Sequence, residues 1–272
     1  MPEKPEVITV SRSLERRIIG KTIQKADVYW DNTIIGNVDE FKKNIQNQTI
    51  EKITTRGKWI VIFLTSKALI IHLRMEGKFF FRDQNTPKEK HEHVIFRFTD
   101  GTDMRFHDTR KFGKMALLSK VDLYNVKPLC DLGYEYDDLL LTPKYLKEKL
   151  THKSIPVKTA LLDQSIITGI GNIYDDEILF KSAINPKRRA SSISLDEADT
   201  IIQNTKIILN EAILKGGTTI KSFESSEGVH GLFQNELLVH GKKNGICPKC
   251  GSNIVYTRVG GRGTYYCPKC QK

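Results

Sequence analysis

The chain has 272 residues, a formal net charge of +11, 39% hydrophobic and 28% charged residues. This composition is globular rather than disordered, the length suits two domains, and the sign of the charge favours a polyanionic partner, nucleic acid before an anionic membrane surface. No apolar run approaches the roughly 18 residues of a spanning helix, and Glu3, Lys4, Glu6 and Arg12 stand where an export signal needs an apolar core.

Residues 5–19 carry Val7, Val10, Leu14 and Ile18 at spacings of three and four, which predicts a helix. Two readings of its start, MPEKPEV, are open. In one, Pro5 and Glu6 form an ordinary first helical turn. In the other, removal of Met1 exposes Pro2 as a secondary amine. An α-amino group, with a pKa near 7.7–8.0, is far less protonated at neutral pH than a lysine and is therefore a better nucleophile. Strands are predicted over 22–30, 49–65, 68–75, 78–83, 93–100 and 102–108, with Asp100-Gly101 as a hairpin turn. The N-terminal part therefore reads as antiparallel β with a leading helix.

Mixed polarity, Pro128 and Gly133 mark 120–140 as a connection. Helical periodicity follows from Thr142, in TPKYLKEKL, VKTALLDQSI, GNIYDDEILFKSAI and SLDEADTIIQNTKIILNEAILKG, and Gly216-Gly217 ends the last of these. Gly169 and Gly171 sit at a turn entering a helix, where exposed amides can bind phosphate. Asn172 can cap that helix, contact phosphate, or do both. Lys153 and Lys158 add positive charge upstream, or are simply solvated.

The tail carries Cys247, Cys250, Cys267 and Cys270 as C-x2-C-x16-C-x2-C, the spacing of a zinc ribbon closed by four thiolates. So small a segment needs its metal to fold. Arg262, between glycines, is either a phosphate fork or a solvated turn residue. The fifth cysteine, Cys130, lies outside this set and is expected to be a buried thiol. An odd count also argues against a disulfide framework, so a reducing, cytoplasmic setting is expected.

Taken together, MPEKPEV, HLRMEGK, HDTRKFGK, LLDQSIITGIGNIYDDEILF, GGTTIKSF and GGRGTYYCPKCQ resemble, in order, the motifs of the bacterial formamidopyrimidine-DNA glycosylases, whose close relatives are the endonucleases VIII. The resemblance spans essentially the whole chain. It implies an α+β multidomain fold: an N-terminal antiparallel β-sandwich (1–128), a linker (129–141), a helix–two-turns–helix domain (142–237) and a zinc finger (238–272). Damaged double-stranded DNA would lie between the domains. It further implies a bifunctional glycosylase/AP lyase, monomeric, cytoplasmic and associated with the nucleoid through DNA, with one structural zinc ion, no organic cofactor and no membrane partner.

The resemblance also assigns residues. Pro2 would be the nucleophile and Glu3 the general acid–base. Lys58 would assist β-elimination, although alone it reads as a hairpin-turn lysine. Arg262 would clamp phosphate during δ-elimination. Met75, Arg110 and Phe112 would fill the hole left by an extruded nucleotide; Met75 and Phe112 would otherwise read as core. His91, Lys153 and Asn172 would contact DNA, and residues 217–231 would cap an everted 8-oxoguanine. Some positions depart from the family pattern: Lys4, Ile8, Thr109 beside Arg110, and His240 in place of a frequent tyrosine. Two alternatives stand beside this reading: an endonuclease VIII-like enzyme for oxidised pyrimidines, disfavoured by the Met75–Arg110–Phe112 set and GGTTIKSF, and a non-catalytic zinc DNA-binding protein, which leaves Pro2, Glu3 and Lys58 unexplained.

Overall fold

The computed structural model describes residues 1–218 and 231–272. The chain divides into two compact units: residues 1–130 with Thr218 and Gly231, and residues 131–217 with 232–272.

The first unit opens with helix α1 (Lys4–Ile18). Its start is a reciprocal capping box between Glu3 and Glu6, with Pro5 in the first turn. Val7, Val10, Leu14 and Ile18 form its buried face. Strands β1 (Thr22–Val28), β2 (Gln48–Arg56), β3 (Trp59–Leu64), β4 (Lys67–His72), β5 (Lys78–Asp83), β6 (Glu92–Phe98), β7 (Thr102–His107) and β8 (Lys114–Ser119) follow, with helix α2 (Val38–Ile45) between β1 and β2. All strand pairings are antiparallel, in the order β5-β7-β6-β1-β2-β3-β4-β8. At the centre β1 and β2 meet only at Thr22–Thr49 and Ile23–Gln48. The sheet folds over there, and both halves contribute, with α1 and α2, to one apolar core. This is the expected sandwich with its leading helix.

The stretch 49–65 is a hairpin rather than one strand, turning at Gly57-Lys58, where Gly57 has φ 55°. The stretch 68–75 stops at His72, so Met75 stands on a turn. Helix α2 and strand β8 are further elements. The helix is short, with Phe41 and Ile45 as its buried residues and Asn37 capping the Glu40 N–H at 2.9 Å. Cys130 corrects an expectation. It is exposed, because in the tight turn Leu129–Asp131 it is Leu129 that points inward.

The second unit contains α3 (Pro143–Thr151), α4 (Val157–Leu161), α5 (Asn172–Lys181), α6 (Leu195–Leu214) and the hairpin β9 (Val255–Val259)–β10 (Arg262–Tyr266). Helix α5 is buried at every position from Ile173 to Phe180, acids included. Such a helix lies inside its unit rather than on its surface. No helix among the described residues is long and apolar enough to cross a membrane. The loop over 217–231 falls largely outside the described residues.

Candidate active site

The N-terminus is set into the first unit. Pro2, Glu3, Glu6 and Lys58 are all buried. Glu6 is the organiser: its Oε2 accepts the Glu3 N–H at 2.8 Å, and its Oε1 accepts the Thr218 N–H at 2.8 Å and the Thr218 hydroxyl at 3.1 Å. The α-amine on Met1 has its pKa lowered from 8.0, first by burial and then by Lys58 and Arg110, against an upward pull from Glu3 and Glu6. These residues therefore share one electrostatic environment around the amine. Removal of Met1 would transfer that environment to Pro2.

His72, at the end of β4, faces Lys58 and Arg74, and burial with those cations pushes its pKa down to about 3. The ring is neutral, and its Nδ1 accepts the Arg74 N–H at 3.0 Å. That bond starts the turn carrying Met75, which is half-buried on the turn rather than packed in the core.

Arg110 and Phe112 stand on the turn between β7 and β8. Its centre is Asp108, fully buried, whose Oδ1 accepts the Arg110 N–H at 3.0 Å and whose Oδ2 accepts those of Phe112 and Gly113 at 2.8 and 2.7 Å. Lys111 takes a left-handed φ of 57°, so Arg110 and Phe112 are displayed on either side of it. A Cβ on Gly113 would lie 2.4 Å from the Phe106 ring, which explains the glycine. Phe112 is 48% exposed and the Arg110 guanidinium lies 4.9 Å from its ring centroid. The Thr109 hydroxyl donates to Glu76, so the departure at Thr109 links this turn to the Met75 turn. His91, with φ 71°, precedes β6, and its carbonyl accepts the Asp108 N–H at 3.0 Å.

In the second unit, Asn172 is the first residue of α5 and Gly171 is the cap, so the capping expectation for Asn172 is corrected. Its Nδ2 donates to the Gly263 carbonyl at 2.9 Å, beside Arg262. The turn bearing Arg262 is built by Gly260 and Gly261, with φ 55° and 77°, and Arg262 itself is exposed. Lys153 is about one-third exposed and pairs with Asp163 at 3.4 Å. Lys158 is neither solvated nor available to DNA. It is buried, 2.5 Å from Asp176 and 3.5 Å from Asp175. Asp176 also accepts from the Tyr265 N–H at 3.2 Å and lies 2.7 Å from His240 Nδ1, while Glu177 accepts the N–H groups of Leu238, Val239 and His240. The acids of α5 thus seat the ribbon and its approach on the helices. Sequence reasoning missed Asp108, Asp176 and Glu177 in these roles, because a carboxylate that gathers backbone N–H groups leaves no periodic signal.

The thiol sulfurs of Cys247, Cys250, Cys267 and Cys270 all lie within 4.8 Å of one another, with Cys247–Cys270 at 3.8 Å and Cys250–Cys267 at 3.5 Å. Tetrahedral Zn–S bonds of about 2.3 Å place sulfurs about 3.8 Å apart, so the donor set fits a closed structural zinc site.

Three family models tile the chain: the formamidopyrimidine-DNA glycosylase N-terminal domain (1–115), the H2TH domain of the same glycosylases (132–224), and a zinc finger found in these enzymes and in IleRS (246–272). A formamidopyrimidine-DNA glycosylase of Bacillus cereus (strain ATCC 10987 / NRS 248) is 46% identical over 274 residues, covering 100% of this chain and 99% of its own. That of Bacillus licheniformis is 44% identical over 276 residues, covering 100% of both. Among solved structures, the wild-type Lactococcus lactis enzyme in complex with N7-benzyl-Fapy-dG DNA has a TM-score of 0.92 at 34% identity, again over 100% of both chains. The chain belongs to the formamidopyrimidine-DNA glycosylase family.

Proposed function

We propose that the chain is a bifunctional DNA glycosylase/AP lyase of base excision repair that removes oxidised purines from duplex DNA. The observation that carries this reading is the terminus itself: Pro2 is buried with Glu3, Glu6 and Lys58, and the α-amine on Met1 beside it has its pKa lowered by burial, Lys58 and Arg110 against the pull of Glu3 and Glu6. A lowered pKa leaves more of an amine unprotonated, and so nucleophilic, at a given pH.

Extruding the damaged nucleotide costs a few kcal/mol, which the protein must recover by filling the gap. Phe112 supplies an exposed aromatic wedge, Arg110 a guanidinium for the widowed base, and Met75 an adaptable thioether. The Pro2 nitrogen, once freed of Met1, attacks C1′ of the deoxyribose, and the C1′–N bond breaks as the base leaves with a proton. Glu3, next in sequence to the nucleophile, exchanges that proton. The Pro2 nitrogen sheds its proton, the C1′–O4′ bond opens with a proton going to O4′, and the iminium so formed has no N–H to lose and draws electron density from C2′. Loss of the C2′ proton expels the 3′ phosphate (β-elimination), and a second elimination expels the 5′ phosphate, leaving a one-nucleotide gap. Lys58 assists the first elimination. Arg262, Lys153, Asn172 and His91 hold DNA. Arginine, with a pKa above 12, serves Arg262 better as a phosphate clamp than as an acid. A zinc ion held by the four cysteines would supply a structural cross-link to the Arg262 hairpin. The enzyme would act as a monomer in the bacterial cytoplasm, at the nucleoid.

Borohydride trapping tests the reading. Protein with a verified Pro2 terminus should form a covalent adduct with an 8-oxoguanine:cytosine duplex. No adduct would leave a non-catalytic DNA-binding protein as the better account. A second substrate class has one observation in its favour: a similar Lactococcus lactis structure, TM-score 0.91, is described as a complex with oxidised-pyrimidine DNA. Faster excision from a thymine glycol duplex than from the 8-oxoguanine duplex would shift the assignment to that class.

A further inference from the structure

Arg105, on β7, is the largest of the fully buried side chains, at 1% exposed. Burying a guanidinium is costly unless its charge and its donors are all answered. Asp103 answers the charge from the same strand, receiving Nε at 3.2 Å and Nη2 at 3.0 Å. The other bonds go to the loop between β5 and β6 and to the strand residues that bound it. Nη2 donates to the carbonyls of Asp83 and Thr86 at 3.3 and 2.7 Å, and Nη1 to the Pro87 carbonyl at 3.1 Å. Nη1 also meets Glu92 Oε2 at 3.2 Å, and that same oxygen accepts the Glu89 N–H at 2.9 Å. One buried fork thus grips the loop near its start and, through Glu92, near its end.

That loop delivers His91. The residue has a left-handed φ of 71°, a conformation that a non-glycine residue holds only where its surroundings impose it. Its following residue and its own carbonyl are fixed: Glu92 by Arg105, and the His91 carbonyl by the Asp108 N–H. The His91 ring packs edge-on against His93 and His107, at 6.2 and 5.7 Å between centroids. We propose that Arg105 is a positioning residue for DNA binding, holding the 84–91 loop between β5 and β6 so that His91 is presented to the duplex. This rests on the reading that His91 meets DNA.

The test is a double-mutant cycle on affinity for a duplex bearing a stable abasic analogue. Arg105→Lys keeps a cation beside Asp103 and Glu92 but cannot reproduce the planar fork that reaches three carbonyls. His91→Ala alone should weaken binding about tenfold, the worth of roughly 1.4 kcal/mol. Arg105→Lys should weaken it similarly in the wild-type background and less than about twofold in the His91→Ala background, because the two losses are one loss. Amide exchange at residues 85–91 should accelerate in the free Arg105→Lys protein. Glu92→Gln is the second variant, should Arg105→Lys fold poorly. It keeps an oxygen for Glu89, weakens the Arg105 contact, and should show a smaller loss with the same dependence on His91.

Equal weakening by Arg105→Lys in both backgrounds would mean the guanidinium acts through something other than His91 and overturns the inference. So would unchanged affinity in a folded Arg105→Lys protein. Unchanged affinity in His91→Ala alone would instead overturn the contact reading of His91 on which the inference stands.

Discussion

Asp108→Asn replaces one oxygen with an NH2 group and changes little else in size. In the wild type, Oδ2 accepts the N–H groups of Phe112 and Gly113, and Oδ1 accepts that of Arg110. The asparagine oxygen can take one side of this arrangement, and its amide nitrogen must then face an N–H on the other. With the oxygen left on the Phe112 and Gly113 side, the Arg110 N–H loses a charge-assisted bond and meets another donor. Bonds to charged groups are worth about 1.5–3 kcal/mol each, and the two that survive are weakened by loss of charge. The sum is about 2–4 kcal/mol. For a unit of this size 1 kcal/mol moves the melting midpoint by about 2–4 °C, so a fall of roughly 5–10 °C is expected by calorimetry. Single-turnover excision of 8-oxoguanine should fall about 100-fold, the order of loss expected when a positioning group shifts by about 1 Å. A variant that melts within about 1 °C of the wild type and excises at the wild-type rate would refute the assignment of Asp108 as the organiser of this turn.

His72 makes stability depend on pH. Its folded pKa is about 3 against an ordinary 6.5, so the unfolded chain takes up a proton that the folded one refuses. This contribution is full above pH 6.5 and lost as pH falls towards 3, amounting to about 1.4 kcal/mol between pH 7.5 and 5.5. Urea titrations should show His72→Gln losing about that much less than wild type over the same interval. Gly260→Ala would place a Cβ 2.3 Å from the Thr159 hydroxyl at a φ of 55°, so the Arg262 turn must move. DNA affinity should fall about tenfold with little change in trapping at saturating protein, as gel shift and borohydride assays would show. Chelation of zinc should unfold the β9–β10 hairpin and raise the dissociation constant for DNA; unchanged affinity after verified metal loss would place Arg262 off the DNA.

The elements legible in the sequence are those whose signal is local. Helix α1 announces itself through Pro5 and Glu6 in its first turn and four apolar residues at helical spacing, while the Glu3 half of its capping box shows only in the structure. The Asp100-Gly101 turn does so through a glycine that has φ 85°. The four cysteines need only spacing. Residue type misleads where the context is tertiary. Phe112 and Met75 belong to types that fill cores, yet Phe112 is exposed and Met75 half-buried, both on turns held by polar bonds. Lys158, Asp175 and Asp176 belong to types that face water, and they are buried against one another. Periodicity finds α5 as a helix but not its full burial, because a helix enclosed on all sides has no polar face to reveal its orientation. Helix α2 is too short for its Phe41 and Ile45 to stand out.

Glu6 ties two segments far apart in the sequence to one carboxylate. One of its oxygens holds the Glu3 N–H, next to Pro2, and the other holds Thr218. A tug on Thr218 therefore reaches the Glu3 N–H through a single buried side chain. Two ropes are moored to the same post, and whatever shifts one must also retension the other.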